Sequence, residues 1–184
     1  LGGPVKLQVT QGALDTLIDN GGAIRADGGQ VYLTAKAAGE LAASVINNTG
    51  VIEAHTLATG EKGQIVLLGD MKKGNLHVAG VLDASAPQGG DGGFIETSAN
   101  QVDIGAVRVT TAAPRGKTGT WLIDPNDFTV AASGGNMTGA DVSNALASNN
   151  FSIMTTSMGT TGGRGDVGLF GSLLIECAVK HFAV

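Results

Sequence analysis

One cysteine, Cys177, stands in the whole chain, so no disulfide framework can hold it, and no Cys/His cluster has the spacing of a zinc site. Aromatic residues make up only 4% of the 184 residues, which argues against a wide pocket lined with rings. Only four prolines and a hydrophobic fraction of 42% argue against collagen-like and disordered classes, even though there are 30 glycines. No basic run occurs and the net charge is −5, which removes the term that dominates nucleic-acid binding and attraction to anionic membranes. No Met opens the chain and no signal-peptide pattern follows, so "LGGPVKLQV" reads as an internal piece of something longer. The apolar ending "GLFGSLLIECAVKHFAV" carries Glu176 and Lys180 and is short for a span; it is expected not to cross a membrane.

What is present is Val, Ile, Leu, Ala and Thr in short runs divided by Gly, Asn and Asp, and these runs repeat. The pattern Gly, small, apolar, charged, small or β-branched occurs as "GAIRA" at Gly22, "GVIEA" at Gly50, "GVLDA" at Gly80 and "GAVRV" at Gly105, spaced by 28, 30 and 25 residues. A second series marches with it: "GQVYL" from Gly29, "GQIVL" from Gly63, "GFIET" from Gly93 and "GTWLI" from Gly119. A third precedes each next unit, in "SVINN", "NLHVA" and "QVDIG". Three short strands per repeat specify an all-β chain, a right-handed parallel β-helix (solenoid) of about five rungs. Ile24, Ile52, Leu82 and Val107 are expected to stack inward, and Arg25, Glu53, Asp83 and Arg108 to form an outward ladder of ion pairs. "TGADVSNALASNN" predicts one short helix near 139–148; "TAKAAGELAAS", from Thr34 to Ser44, is a weaker helix candidate interrupted by Gly39.

The segments "SVINNTGVIEAHTL", "IVLLGDM", "VAGVLDASAPQGGDGGFIETSA" and "GKTGTWLIDPNDFTVAASGGNMTGA" resemble the filamentous-haemagglutinin-like exoproteins, adhesins of Gram-negative bacteria exported by two-partner secretion. The likeness runs from about Val5 to Val167. It implies a β-helical part of a long fibre, secreted through an outer-membrane two-partner secretion transporter and found at the bacterial cell surface or shed from it. Attachment to a host receptor or glycan is the implied function. The Asn-Pro-Asn motifs of the family's N-terminal secretion domain are missing, with only "DPND" at Asp124–Asp127, so the chain resembles the region after that domain. On this reading, residues 1–167 are a β-helix segment of a larger exoprotein and 168–184 an atypical apolar tail, consistent with a frameshift or truncation.

Candidate sites divide as follows. "GGDGGFIETS" lacks both the G-x-G-x-x-G spacing and a following helix needed for a dinucleotide, and its single Asp91 is misplaced for a calcium nonapeptide; it reads as a corner. No cofactor or metal is expected. Which of Phe94 and Ile95 faces the core is open, with Ile95 favoured because it aligns with Val31, Ile65 and Trp121. The candidate receptor-binding residues are Arg164, Gly165 and Asp166, an RGD tripeptide in a Gly-rich stretch, and Trp121. Trp121 and Phe128 can instead seal the core, with Asp124 before Pro125 making a turn. A polysaccharide-active enzyme is the rival class, since it too can use a β-helix and paired carboxylates. Because the charged ladder is explained by strand pairing, and His55, His77 and His181 have no evident nucleophile partner, a non-enzymatic segment is expected, with a passive spacer as the further alternative.

Overall fold

The computed structural model describes residues 4–9, 15–36, 43–58, 61–155 and 167–170. Its strands are β1 (Val5–Val9), β2 (Asp15–Asn20), β3 (Ala23–Arg25), β4 (Gln30–Ala35), β5 (Ala43–Asn48), β6 (Val51–Glu53) and β7 (Gln64–Leu68). They continue as β8 (Gly74–Asp83), β9 (Phe94–Ser98), β10 (Gln101–Thr110), β11 (Thr120–Asp124) and β12 (Phe128–Ala131). Helix α1 (Gly139–Ser148) then precedes β13 (Asn150–Ile153) and β14 (Val167–Phe170). The first sheet, A, runs β1-β4-β7-β9-β11-β13; the second, B, runs β2-β5-β8-β6-β3 with β10 on β8; β12 and β14 pair separately. All of these pairings are parallel, and the chain alternates between A and B, so the fold is a parallel β-helix of about five turns.

Parallel pairing puts like residues above like. In sheet A, Val31, Ile65, Ile95, Trp121 and Phe151 form one inward column, and Leu33, Leu67, Thr97, Ile123 and Ile153 the next; none is more than 2% exposed. Ile95 is therefore the residue that enters the core, while Phe94 pairs with Gln64 and Thr120 on the outward face. In sheet B, Ile18, Ile46, Leu76 and Val102 stack in the same way. Each fully buried Leu or Ile contributes about 1.5–3 kcal/mol of transfer free energy, which offsets the entropy of ordering strands only three to ten residues long.

The two glycine series have a steric cause. A Cβ on Gly50 would strike the carbonyl of Gly22, and one on Gly80 the carbonyl of Gly50. On the other side, a Cβ on Gly93 would strike the carbonyl of Gly63, and one on Gly119 the carbonyl of Gly93. These columns mark the lines along which successive rungs approach backbone to backbone, so a side chain there would push two rungs apart.

The fourth repeat departs from expectation. Ile104 pairs with Val78, but Val107 pairs with Gly80, so Gly105 and Ala106 together oppose Ala79 and form a β-bulge. Val109, not Val107, thus stacks on Leu82, and Arg108 lies beside Val81, not Asp83. The expected columns ending in Val107 and Arg108 are both corrected by this one extra residue.

The helix forms where its capping signals stand. Thr138 caps it: its hydroxyl accepts from the Asp141 N–H at 3.2 Å, while Asp141 accepts from the Thr138 N–H at 2.8 Å, a reciprocal capping box. Val142 and Ala145 are buried and Leu146 partly so, which turns this face onto the core. Of the weaker helix candidate, Thr34 and Ala35 end β4, Ala43 and Ser44 begin β5, and 37–42 lie outside the described residues. Strand β14 pairs with β12 and crosses the expected boundary between 167 and 168; residues 171–184, including Cys177, lie outside the described residues. Among the described residues, no helix is long and apolar enough to cross a membrane.

Candidate functional site

The outward side chains follow the same register as the core. Arg25 meets Glu53 at 2.7 Å, as the repeat predicts. Asp83, with Arg108 displaced, is met by His55 Nε2 at 3.4 Å, and the other ring nitrogen of His55 lies 2.7 Å from Asp27 one rung away. Burial alone would lower the His55 pKa, but the two carboxylates outweigh it and hold the value above the ordinary 6.5. A parallel row holds Asp19, Asn47, His77 and Asp103, with Asn47 donating to Asp19 at 2.9 Å and His77 lying 2.7 Å from Asp103.

The glycine-rich stretch is a corner. Gly89 and Gly90 take positive φ values of 132° and 86°, which turn the chain sharply. Asp91 then accepts from the Lys117 N–H at 2.9 Å and faces Lys62 at 3.2 Å, and these contacts, the Lys117 hydrogen bond first, hold its carboxyl below the usual range. The loops of three rungs are tied together there.

Trp121 is 2% exposed and packs against Phe151, with ring centroids 5.1 Å apart. Its Nε1–H donates to Thr97 Oγ1 at 3.1 Å, so the one polar member of its neighbouring column is present to satisfy the indole. It borders a small cleft of about 280 Å³ beside α1, but a ring covered to this degree offers no face to a stacked sugar. Phe128 is fully buried as well. Arg164, Gly165 and Asp166 lie outside the described residues.

Two carboxylates do come together on sheet A. Asp124 Oδ1 is buried without a hydrogen-bond partner, and burial, reinforced by the nearby Glu96, raises its pKa above the usual carboxylate value. Glu96 accepts from Ser98 Oγ at 2.8 Å. Among the described residues no three His, Cys, Asp or Glu side chains converge on a metal position.

One concavity was not anticipated from the sequence. It is a groove of about 500 Å³ on the outward face of sheet B. Val45, Asn75, Gln101, His77 and Asp103 form its floor, since they alternate with the buried Ile46, Leu76 and Val102. Asn126, Asp127 and Asn136 form its wall. The wall exists because β12 leaves the stack to pair with β14 and does not lie against β10. Two amide struts fix it: Asn126 Nδ2 donates to Asn100 Oδ1 at 2.7 Å, and Asn136 Nδ2 donates to the Val102 carbonyl at 3.0 Å. The third strand series would have shown the floor, because "NLHV" and "QVDI" align Asn75 with Gln101 and His77 with Asp103. Nothing in the repeat announces the departure of β12.

Comparison with protein families, with curated proteins and with solved structures found no match for the chain.

Proposed function

We propose that the chain is a structural and adhesive segment of a secreted filamentous bacterial surface protein, exported through an outer-membrane two-partner secretion transporter and mediating attachment to host cells or other surfaces. The observation that supports this reading best is the outward surface of the rungs. Its charges are matched from rung to rung, by Arg25 with Glu53, by His55 with Asp27 and Asp83, and by Lys62 with Asp91, so the face is built as a stiff ladder. The sequence resemblance from about Val5 to Val167 points the same way.

The polysaccharide-active alternative draws on one specific feature, the Glu96 and Asp124 pair, in which one carboxyl has a raised pKa. Coating the purified chain on a surface and counting attached host cells tests the adhesive reading. Attachment above that to an unrelated β-helix supports it, and none leaves the passive spacer in its place. Release of reducing or unsaturated sugar ends from polysaccharides, abolished by Asp124→Asn, would replace it with the enzymatic one. Export is tested by the parent reading frame, where an upstream secretion domain and an adjacent transporter gene are expected.

A further inference from the structure

Helix α1 covers β10 incompletely. The segment that carries it is strapped to the strand at two carbonyls. Asn136 Nδ2 donates to Val102 at 3.0 Å before the helix, and Ser148 Oγ and Asn149 Nδ2 donate to Val109 at 3.0 Å at its end. Between these straps β10 carries the bulge at Gly105 and Ala106, and there a cleft of about 280 Å³ opens between strand and helix. Its lining grades from buried to exposed. Trp121, Val109, Met137 and Ala145 are no more than 7% exposed, Ile104 and Val107 are partly buried, and Arg108, Asp141 and Asn144 are exposed. The cleft therefore has an apolar floor and a polar mouth. Its volume lies just below the range of roughly 300–1,000 Å³ typical of pockets for drug-sized ligands, so it suits a smaller molecule.

The polar groups of the lining are not equally available. Asp141 Oδ2 accepts from the Thr138 N–H at 2.8 Å and from the Thr138 hydroxyl at 2.6 Å, and the carboxylate stands in the first turn of α1, where the helix dipole favours it. Ser148 Oγ is spent on the Val109 carbonyl. Arg108 is the member of the outward ladder that lost its partner: Arg25 holds Glu53, His55 holds Asp83, and the bulge sets Arg108 beside Val81. Among the described residues, neither the Arg108 nor the Asn144 side chain has an ion-pair or hydrogen-bond partner.

Two free donors above an apolar floor suit a carboxylate carried on an apolar body. A guanidinium offers a carboxylate two parallel N–H groups, and a hydrogen bond charged on both sides is the stronger kind. A cationic ligand would be repelled by Arg108, and a small hydrophilic anion would leave the floor in contact with water. We infer that this cleft binds a small amphipathic organic acid, its carboxylate held by Arg108 and Asn144 and its hydrocarbon part lying on Ile104, Val107 and Met137. This goes beyond the adhesive reading and does not depend on it. The bound acid ties α1 to the bulged middle of β10 and so strengthens the cover over the end of sheet B.

The test is titration of the purified chain with octanoate and with phenylpropionate, followed by calorimetry and by the fluorescence of Trp121, the only tryptophan in the chain. Octanol and phenylpropanol carry the same bodies without the charge, octylammonium reverses the charge, and acetate has the charge without the body. At least one of the two acids is expected to bind at a single saturable site, with its alcohol, the ammonium and acetate each weaker by about tenfold or more. Arg108→Gln, at an exposed position without a partner, is expected to leave the urea midpoint unchanged, weaken the acid about tenfold and remove its advantage over the alcohol. Arg115→Gln, an exposed arginine outside the cleft, is expected to leave binding as it was. Absence of saturable binding by either acid, an alcohol or acetate that binds as tightly, or an acid preference that survives Arg108→Gln overturns the inference. So does an equal loss in Arg115→Gln, which would mark general attraction to surface charge.

Discussion

Sheets A and B are built from the same rungs and end differently. Sheet A carries one register through six strands, from the pairing of Val5 with Val31 to that of Ile123 with Ile153. Sheet B slips by a residue at Gly105 and then stops, its last strand β10 covered where Ser148 Oγ and Asn149 Nδ2 both donate to the Val109 carbonyl at 3.0 Å. The contrast teaches what propagates a solenoid. A ladder continues while its corners keep their length, and one extra residue at a corner changes both the face of the following side chains and the strand that can pair next. Where pairing ends, a helix covers the edge that would otherwise offer free backbone groups to another chain.

The largest effect separates two glycines that the sequence presents as equivalents. Gly80 has φ of 73° and backs onto the Gly50 carbonyl, so Gly80→Ala is expected to destabilise by roughly 3–5 kcal/mol or prevent folding. Gly105 sits in the bulge, where the nearest atom to a new Cβ is His77 Cε1 at 3.2 Å, the end of a side chain that can swing aside. Gly105→Ala is expected to cost less than about 1 kcal/mol. Urea unfolding of both variants checks this, and equal losses would mean that the fourth repeat stays in register.

Next come matched substitutions in the two sheets. Thr97→Val leaves the buried Trp121 Nε1–H without an acceptor and is expected to cost about 1–3 kcal/mol, most of which returns in the double variant Thr97→Val/Trp121→Phe. Asn149→Ala removes amide bonds to both the Val109 and Ala145 carbonyls and is expected to cost a similar amount. Hydrogen exchange distinguishes them: Asn149→Ala should speed exchange in α1 and the second half of β10 while β11 keeps its protection. A uniform loss across both sheets would show that the cap does not act locally.

Much of this architecture is legible in the residues, and the limits are physical. The glycine series survive in the sequence because backbone contact between rungs admits no Cβ, and the inward columns survive because parallel register puts apolar residues at a constant place in each unit. The helix is legible in the Val142–Leu146 spacing between polar ends, and the Thr138–Asp141 capping box fixes where it starts. Gly105 misleads because "GAVRV" copies the repeat while the residues before it gain one position, and a bulge leaves no mark in composition. The groove was hidden for a related reason: its floor lies on three strands distant in sequence, and its wall depends on where β12 goes after Asn126. Trp121 carried two readings because a lone indole suits a core or a sugar equally well, and only its partner Thr97, 24 residues earlier, distinguishes them.

The smallest expected effect probes the charged rows that sheet B keeps before its slip. His55 bridges three rungs, with Asp27 on one side and Asp83 on the other, and its pKa is raised in the folded chain. The folded state therefore binds the proton more tightly than the unfolded state does. The associated stability is fully present below the ordinary value of 6.5 and is lost as pH rises through the raised folded value. The ring is 24% exposed and the carboxylate of Asp27 48%, so the solvent-screened contribution is expected to be under about 1 kcal/mol. Thermal unfolding of the parent chain and His55→Gln across that window should give curves that differ at low pH and converge as pH rises, with Asp83→Asn intermediate. A difference that grows with pH, or a constant one, would show that the imidazolium does not link the rungs and that the outward row of sheet B contributes to shape without contributing charge.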